Sequence, residues 1–144
     1  MSDIVHVAVG VILKPELSHE KGLVQQKQFF LTKRLSNVHQ GNKWEFPGGK
    51  LEKGETIAQA LARELKEEIA IEVLSCQPLI IINHDYGDKK VCLEVFLVDN
   101  FIGEPSAQEG QQQGWFSLAQ LLKLEFPEAN IAIVEKLTTD FTTQ

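Results

Sequence analysis

Hydrophobic and small positions alternate from near the start of the chain, where Val5, Val7, Val9, Val11 and Leu13 interleave with His6, Ala8, Gly10 and Ile12. A period of two sends successive side chains to opposite faces, so this stretch predicts a strand with one bulky and one small face. The small face is expected to leave room for a ligand. Residues 14–27 are polar and carry Pro15 and Gly22, which predicts a change-tolerant loop before a second strand near 28–34. No period holds from 35 to 54, where Pro47, Gly48, Gly49 and Gly54 predict an irregular segment whose backbone approaches a ligand closely.

At Thr56 the pattern becomes helical. Thr56 with Gln59 makes a capping box, and Ile57, Leu61, Leu65 and Ile69 recur along one stripe. Apolar runs at 71–82 and 91–98 flank the turn-like Tyr86-Gly87-Asp88-Lys89-Lys90 and predict an antiparallel pair. Both runs are apolar on both faces, hence expected to be central. A Gly/Pro/Gln-rich loop spans 103–114, Trp115 and Phe116 lead into a short helix near 117–122, and a last helix is expected over about 131–139. Strands mixed with helices in this order, without repeat or linker, predict one α/β (α+β) domain over 1–144 with helices covering a mixed sheet.

Composition narrows the chemistry. The chain has 144 residues, 43% hydrophobic and 24% charged, enough for a packed core. Its formal net charge of -6 argues against a broad grip on duplex nucleic acid or an anionic membrane. A polyanionic ligand would then need local basic groups or divalent cations held by carboxylates. Cys76 and Cys92 show no metal-ligand spacing and read as buried, reduced thiols. No leader or membrane-length apolar segment is visible, so a cytoplasmic location is expected.

The most informative stretch starts at Gly49, reaches Glu55 after five residues, and after seven more runs Arg63-Glu64-Leu65-Lys66-Glu67-Glu68-Ile69-Ala70-Ile71. Helical geometry places Glu64, Glu67 and Glu68 within an arc of about 100°. Like charges at such spacings cost roughly 0.2–0.5 kcal/mol per pair, and anions near a helix C-terminus oppose its dipole. A bound Mg²⁺ or Mn²⁺ would turn that repulsion into coordination by hard oxygens. A solvated face is the plain reading of an isolated Glu pair. Six fixed residues at set offsets, however, coincide by chance roughly once in ten million positions or rarer.

This pattern resembles the Nudix box, with Ala70 where that family has Gly, at a position expected to be left-handed. Similarity to the MutT branch of the family extends over about 4–137. It includes Asn42-Lys43-Trp44-Glu45-Phe46-Pro47-Gly48-Gly49-Lys50 and Phe126-Pro127-Glu128-Ala129-Asn130, and the loop at 14–27 is the main difference. The resemblance implies an α/β/α sandwich and hydrolysis of a nucleoside triphosphate to monophosphate and pyrophosphate. The expected substrate is 8-oxo-dGTP, whose removal prevents mutagenic incorporation. It also implies metal binding by Glu64, Glu67, Glu68, Glu109 and the Gly48 carbonyl, with Mg²⁺ expected and Mn²⁺ as an option. Glu64 is the expected general base and Glu109 its rival. Gly49, Glu55 and Arg63 match box positions that are mainly structural.

By the same resemblance Arg34, His39 and Lys89 align with phosphate-contacting positions and Phe46 with the nucleotide site. Each surface cation also admits a merely solvated role. Asn130 is either a base reader or the cap of the last helix. Trp44 and Trp115 read as packing residues. Three other functions stay in view: a damaged pyrimidine triphosphate, a dinucleotide or sugar nucleotide as substrate, or a non-catalytic reader of damaged guanine. A monomer is expected.

Overall fold

The computed structural model describes residues 4–14, 27–38 and 41–141. The expected loop at 14–27 lies almost wholly outside them. The elements are β1 (Ile4–Leu13), β2 (Gln28–Lys33), β3 (Trp44–Glu45), β4 (Gly48–Lys50), α1 (Ile57–Ile69), β5 (Glu72–Asp85), β6 (Lys90–Ile102), β7 (Gln113–Ser117), α2 (Leu118–Leu121) and α3 (Glu128–Phe141). The sheet runs β3-β2-β1-β6-β5, with β4 paired to β1 and β7 to β2. It is mixed, because β1 and β6 run parallel while the other pairs are antiparallel.

The alternation along β1 divides the interior into two layers. Ala8 and Ile12 join Leu61, Leu65 and Ile69 of α1 in one buried cluster. Val9, Val11 and Leu13 face the other way and join Leu121 of α2 and Ile133, Val134 and Leu137 of α3. Helices therefore cover both faces of the sheet, as the α/β/α expectation required.

The small face of β1 leaves no room for a ligand, because α1 packs on it. A side chain at Gly10 would meet Leu65 Cδ1 at 2.9 Å, so the missing bulk admits α1 against the strand. The cavity lies instead on the bulky face, against Val5, Val7 and Val9. Nor is β5 central. Among the described residues it pairs only with β6; it leaves Leu74 and Ile81 exposed and carries Pro78, a residue suited to an edge because it donates nothing to a ladder. The segment 35–54 is less irregular than its composition implied, since β3 and β4 form within it. The strand β7 went unread because only Trp115 and Phe116 break its polar run. Cys92 is buried and Cys76 half-buried, both as free thiols.

α1 starts as predicted. Thr56 Oγ1 accepts from Gln59 N–H at 3.1 Å, and Gln59 Oε1 accepts from Thr56 N–H at 2.9 Å. It ends at Ala70 in the left-handed region, φ 60°, ψ 35°. α3 begins three residues before its expected start, which puts Asn130 inside the first turn. Asn130 therefore does not cap the helix.

Candidate active site

A cavity of about 400 Å³ opens on the bulky side of β1. Its floor is Val5, Val7, Val9, Val91 and Leu93, and its rim is polar. Glu45, Phe46, Gly48 and Gly49 form one wall, Glu64 and Glu68 of α1 a second, Tyr86 and Lys89 of the β5–β6 turn a third, and Pro127, Ala129 and Asn130 a fourth.

Close packing sets the carboxylate wall. A Cβ on Gly49 would run into the Glu64 carboxylate, so glycine here leaves the space in which that carboxylate lies against β4. Gly48 N–H donates to Glu68 Oε2 at 3.4 Å. The loop after β6 is pinned to the end of α1, where Ser106 N–H donates to the Ile69 carbonyl at 2.9 Å and Gln108 N–H to the Glu68 carbonyl at 3.0 Å. These bonds satisfy carbonyls that a helix end leaves without partners, and they bring Glu109 to the cavity rim.

Burial pushes the Glu68 carboxyl up to about 8, and Glu45, Glu64 and Glu109 add to the rise while the Gly48 N–H opposes it. Glu45 is raised by burial as well, against the pull of Arg34, whose Nη1 lies 2.6 Å from Glu45 Oε1. Acidic groups are thus crowded where a cation would relieve them. Among the described residues, no three His, Cys, Asp or Glu side chains are drawn together as a ready ion cage. The reason is visible in their partners: Glu64 turns one oxygen to Arg63 Nη1 at 2.8 Å, Glu67 is exposed and reaches the same nitrogen at 3.3 Å, and Glu68 faces Gly48. Arg63, rather than a metal alone, answers the helix-face repulsion. An all-oxygen donor set of this kind fits a hard divalent cation, and Glu64 keeps its second oxygen, toward Gly49, for one.

Of the residues singled out in the sequence, Arg34, Phe46, Gly48, Gly49, Glu64, Glu68, Lys89, Glu109 and Asn130 line this one cavity. Glu67 does not, and neither do Glu55 and Arg63, which pair with each other beside it. His39 lies outside the described residues. Phe46 is buried with its ring stacked on Phe126, so it is its backbone N–H that reaches Asn130, donating to Oδ1 at a long 3.5 Å. Trp44 and Trp115 meet Phe116 and Phe30 edge-on and stay out of the cavity. Sequence reasoning missed Glu45 and Tyr86. Glu45 sat within the quoted 42–50 segment, and Tyr86 was read only as part of a turn.

Carboxylates on a helix packed against a Gly-Gly strand, under a sheet cavity with cationic and amide groups opposite, define a Nudix hydrolase site. The chain belongs to the Nudix family, and residues 22–136 match the NUDIX domain. It is 37% identical to the 8-oxo-dGTP diphosphatase of Escherichia coli over 91% of this chain and 94% of that protein. The 8-oxo-dGTP diphosphatase of Haemophilus influenzae is 36% identical over 95% of this chain and 93% of its own. A solved structure of MutT, from work on Aliivibrio salmonicida and Vibrio cholerae, superposes with a TM-score of 0.80 at 37% identity, covering 96% of this chain and all of that one.

Proposed function

We propose that the chain hydrolyses 8-oxo-dGTP to the monophosphate and pyrophosphate with the help of Mg²⁺ or Mn²⁺, as a monomer of the cytoplasm that clears oxidised guanine nucleotides before they are incorporated. The observation that carries this reading is the division of one cavity into an acidic wall and an amide wall. Relatives named 8-oxo-dGTP diphosphatase over most of the chain support the substrate.

On the acidic side Glu64, Glu68, Glu109 and the Gly48 carbonyl would hold the cation, with Glu67 joining only if it turns away from Arg63. When bound, the cation supplies charge neutralisation for the phosphates and a lowered pKa for water. The protein's own part is to orient and to move a proton. Glu64 accepts the proton of the attacking water, because it lines the cavity and Arg63 Nη1 holds one of its oxygens at 2.8 Å while the other turns toward Gly49. Arg34 and Lys89 face the phosphates; Arg34 is braced by Glu45 at 2.6 Å. Gly49, Glu55 and Arg63 hold strand and helix in register.

On the amide side Asn130 reads the base. Oxidation at C8 makes N7 of guanine a donor while O6 stays an acceptor. One amide both accepts and donates, so Asn130 satisfies both atoms, and Phe46 N–H stands beside it as a further donor. Hydrolysis should stop in excess chelator and return with Mg²⁺ or Mn²⁺, and oxygen from labelled water should enter the nucleotide product. Full turnover in chelator, or label found only in pyrophosphate, would sink the proposal.

A further inference from the structure

The helices are finished at their N-termini in two ways. α1 and α2 carry reciprocal caps from their own sequence, Thr56 with Gln59 and Ser117 with Gln120. α3 follows Pro127, whose side chain accepts nothing. Its Ala129 N–H instead donates to the hydroxyl of Tyr86 at 2.9 Å, from a residue 43 positions away.

The turn between β5 and β6 holds Tyr86 in place. Tyr86 N–H donates to the Lys89 carbonyl at 2.8 Å, and the Asp85 carboxylate accepts from Gly87 N–H at 2.8 Å, where φ is 94°. Beside it, His84 Nε2 lies 3.0 Å from Glu128 Oε2, and the His84 ring meets the Tyr86 ring edge-on at 4.4 Å. Tyr86, Ala129 and Asn130 all line the cavity. Asn130 is therefore bracketed: its neighbour is held by Tyr86, its own N–H donates to the Pro127 carbonyl at 2.9 Å, and its Oδ1 accepts from Phe46.

We propose that the Tyr86 hydroxyl is a positioning group for base selectivity, which caps the first turn of α3 and so fixes how Asn130 presents its amide. This rests on the base-reading role proposed for Asn130. A recognition group discriminates only while its neighbours hold its direction, and the hydroxyl is the one side-chain acceptor recorded on that first turn among the described residues. Losing it frees the backbone on which Asn130 is mounted.

Tyr86→Phe removes one oxygen and keeps the ring. The ratio of kcat/KM for 8-oxo-dGTP over dGTP should fall by about three- to tenfold, the range expected for one lost hydrogen bond. The loss should sit in KM for the oxidised nucleotide, with kcat little changed. In the nucleotide-free protein the Ala129 amide should exchange faster, while the Gln59 amide at the cap of α1 should not. His84→Gln breaks the neighbouring tie, keeps the hydroxyl, and should leave the ratio intact. An unchanged ratio in Tyr86→Phe overturns the proposal, as does an equal fall in His84→Gln. A wild type with no preference for the oxidised nucleotide would refute the Asn130 reading, and unchanged Ala129 exchange in Tyr86→Phe would separately refute the clamp.

Discussion

Arg63 grips Glu55 with two nitrogens, Nε to Oε2 at 2.6 Å and Nη2 to Oε1 at 3.0 Å. The same guanidinium reaches Glu64 through Nη1 at 2.8 Å and the Lys50 carbonyl through Nη2 at 3.1 Å. One rigid fork thus fastens the loop before α1, the helix and strand β4 at the cavity wall. The hydrogen bonds from Arg63 hold the Glu55 carboxyl below its ordinary range, with the Glu52 N–H adding to the effect.

Lysine in place of Arg63 keeps the charge and loses the fork. Arg63→Lys should lower the melting temperature and reduce kcat by about ten- to a hundredfold, the scale of a small misplacement of reacting groups. Thermal melts and steady-state rates check this, and a variant with wild-type turnover would show that the fork positions nothing.

Glu68 makes the metal-free protein sensitive to pH. Its folded-state pKa of about 8 exceeds the ordinary 4.5, chiefly through burial and then through Glu45, so the folded state binds the proton more tightly than the unfolded one. That contribution is full below 4.5 and is lost as pH rises through 8. In chelator, urea midpoints should therefore fall across this interval, and Glu68→Gln should flatten the decline. The stabilisation gained from Mg²⁺ should grow over the same interval, because proton and cation compete for the carboxylate. A rise in metal-free stability with pH that Glu68→Gln abolishes would reverse the sign.

Ala70 ends α1 at φ 60°, a conformation disfavoured for a residue with a Cβ. Ala70→Gly should raise unfolding free energy by up to about 1 kcal/mol, since relief of the left-handed strain outweighs the added chain entropy of glycine. Turnover should stay within about twofold, because the side chain makes no contact that chemistry needs. Urea denaturation showing a loss of stability would mean that the left-handed strain at Ala70 is smaller than the chain entropy that glycine adds.

Much of this was legible in the sequence for local reasons. The Thr56–Gln59 box and the Leu61, Leu65, Ile69 stripe depend on residues three and four apart, and both form as read. What was missed depends on distant partners. The exposure of β5 follows from sheet order, since β6 took the place beside β1 and left β5 at the edge. Apolar content does not encode that order. The first turn of α3 meets a hydroxyl from Tyr86, 43 residues away, and the Arg63 guanidinium, beside any metal ion, offsets the charge of Glu64 and Glu67. For the cavity, the shared face of Glu64 and Glu68 was readable from helical spacing, whereas the glycines at 48 and 49 were read as a close approach to a ligand and prove also to pack against β1 and the Glu64 side chain. The part played by Glu45 becomes visible only once β3 lays it beside Arg34 and near Glu68.

The account stands or falls on what the amide wall recognises. The most direct measurement is kcat/KM for 8-oxo-dGTP and for dGTP, with Mg²⁺, in wild type and Asn130→Ala. Wild type should favour the oxidised nucleotide strongly. The variant should lose most of that preference, by about a hundredfold or more in a site built around paired polar groups, and Asn130 is not the N-cap, so little stability should go with it. A wild type indifferent to the oxidation, or a variant that keeps the full ratio, would contradict the account.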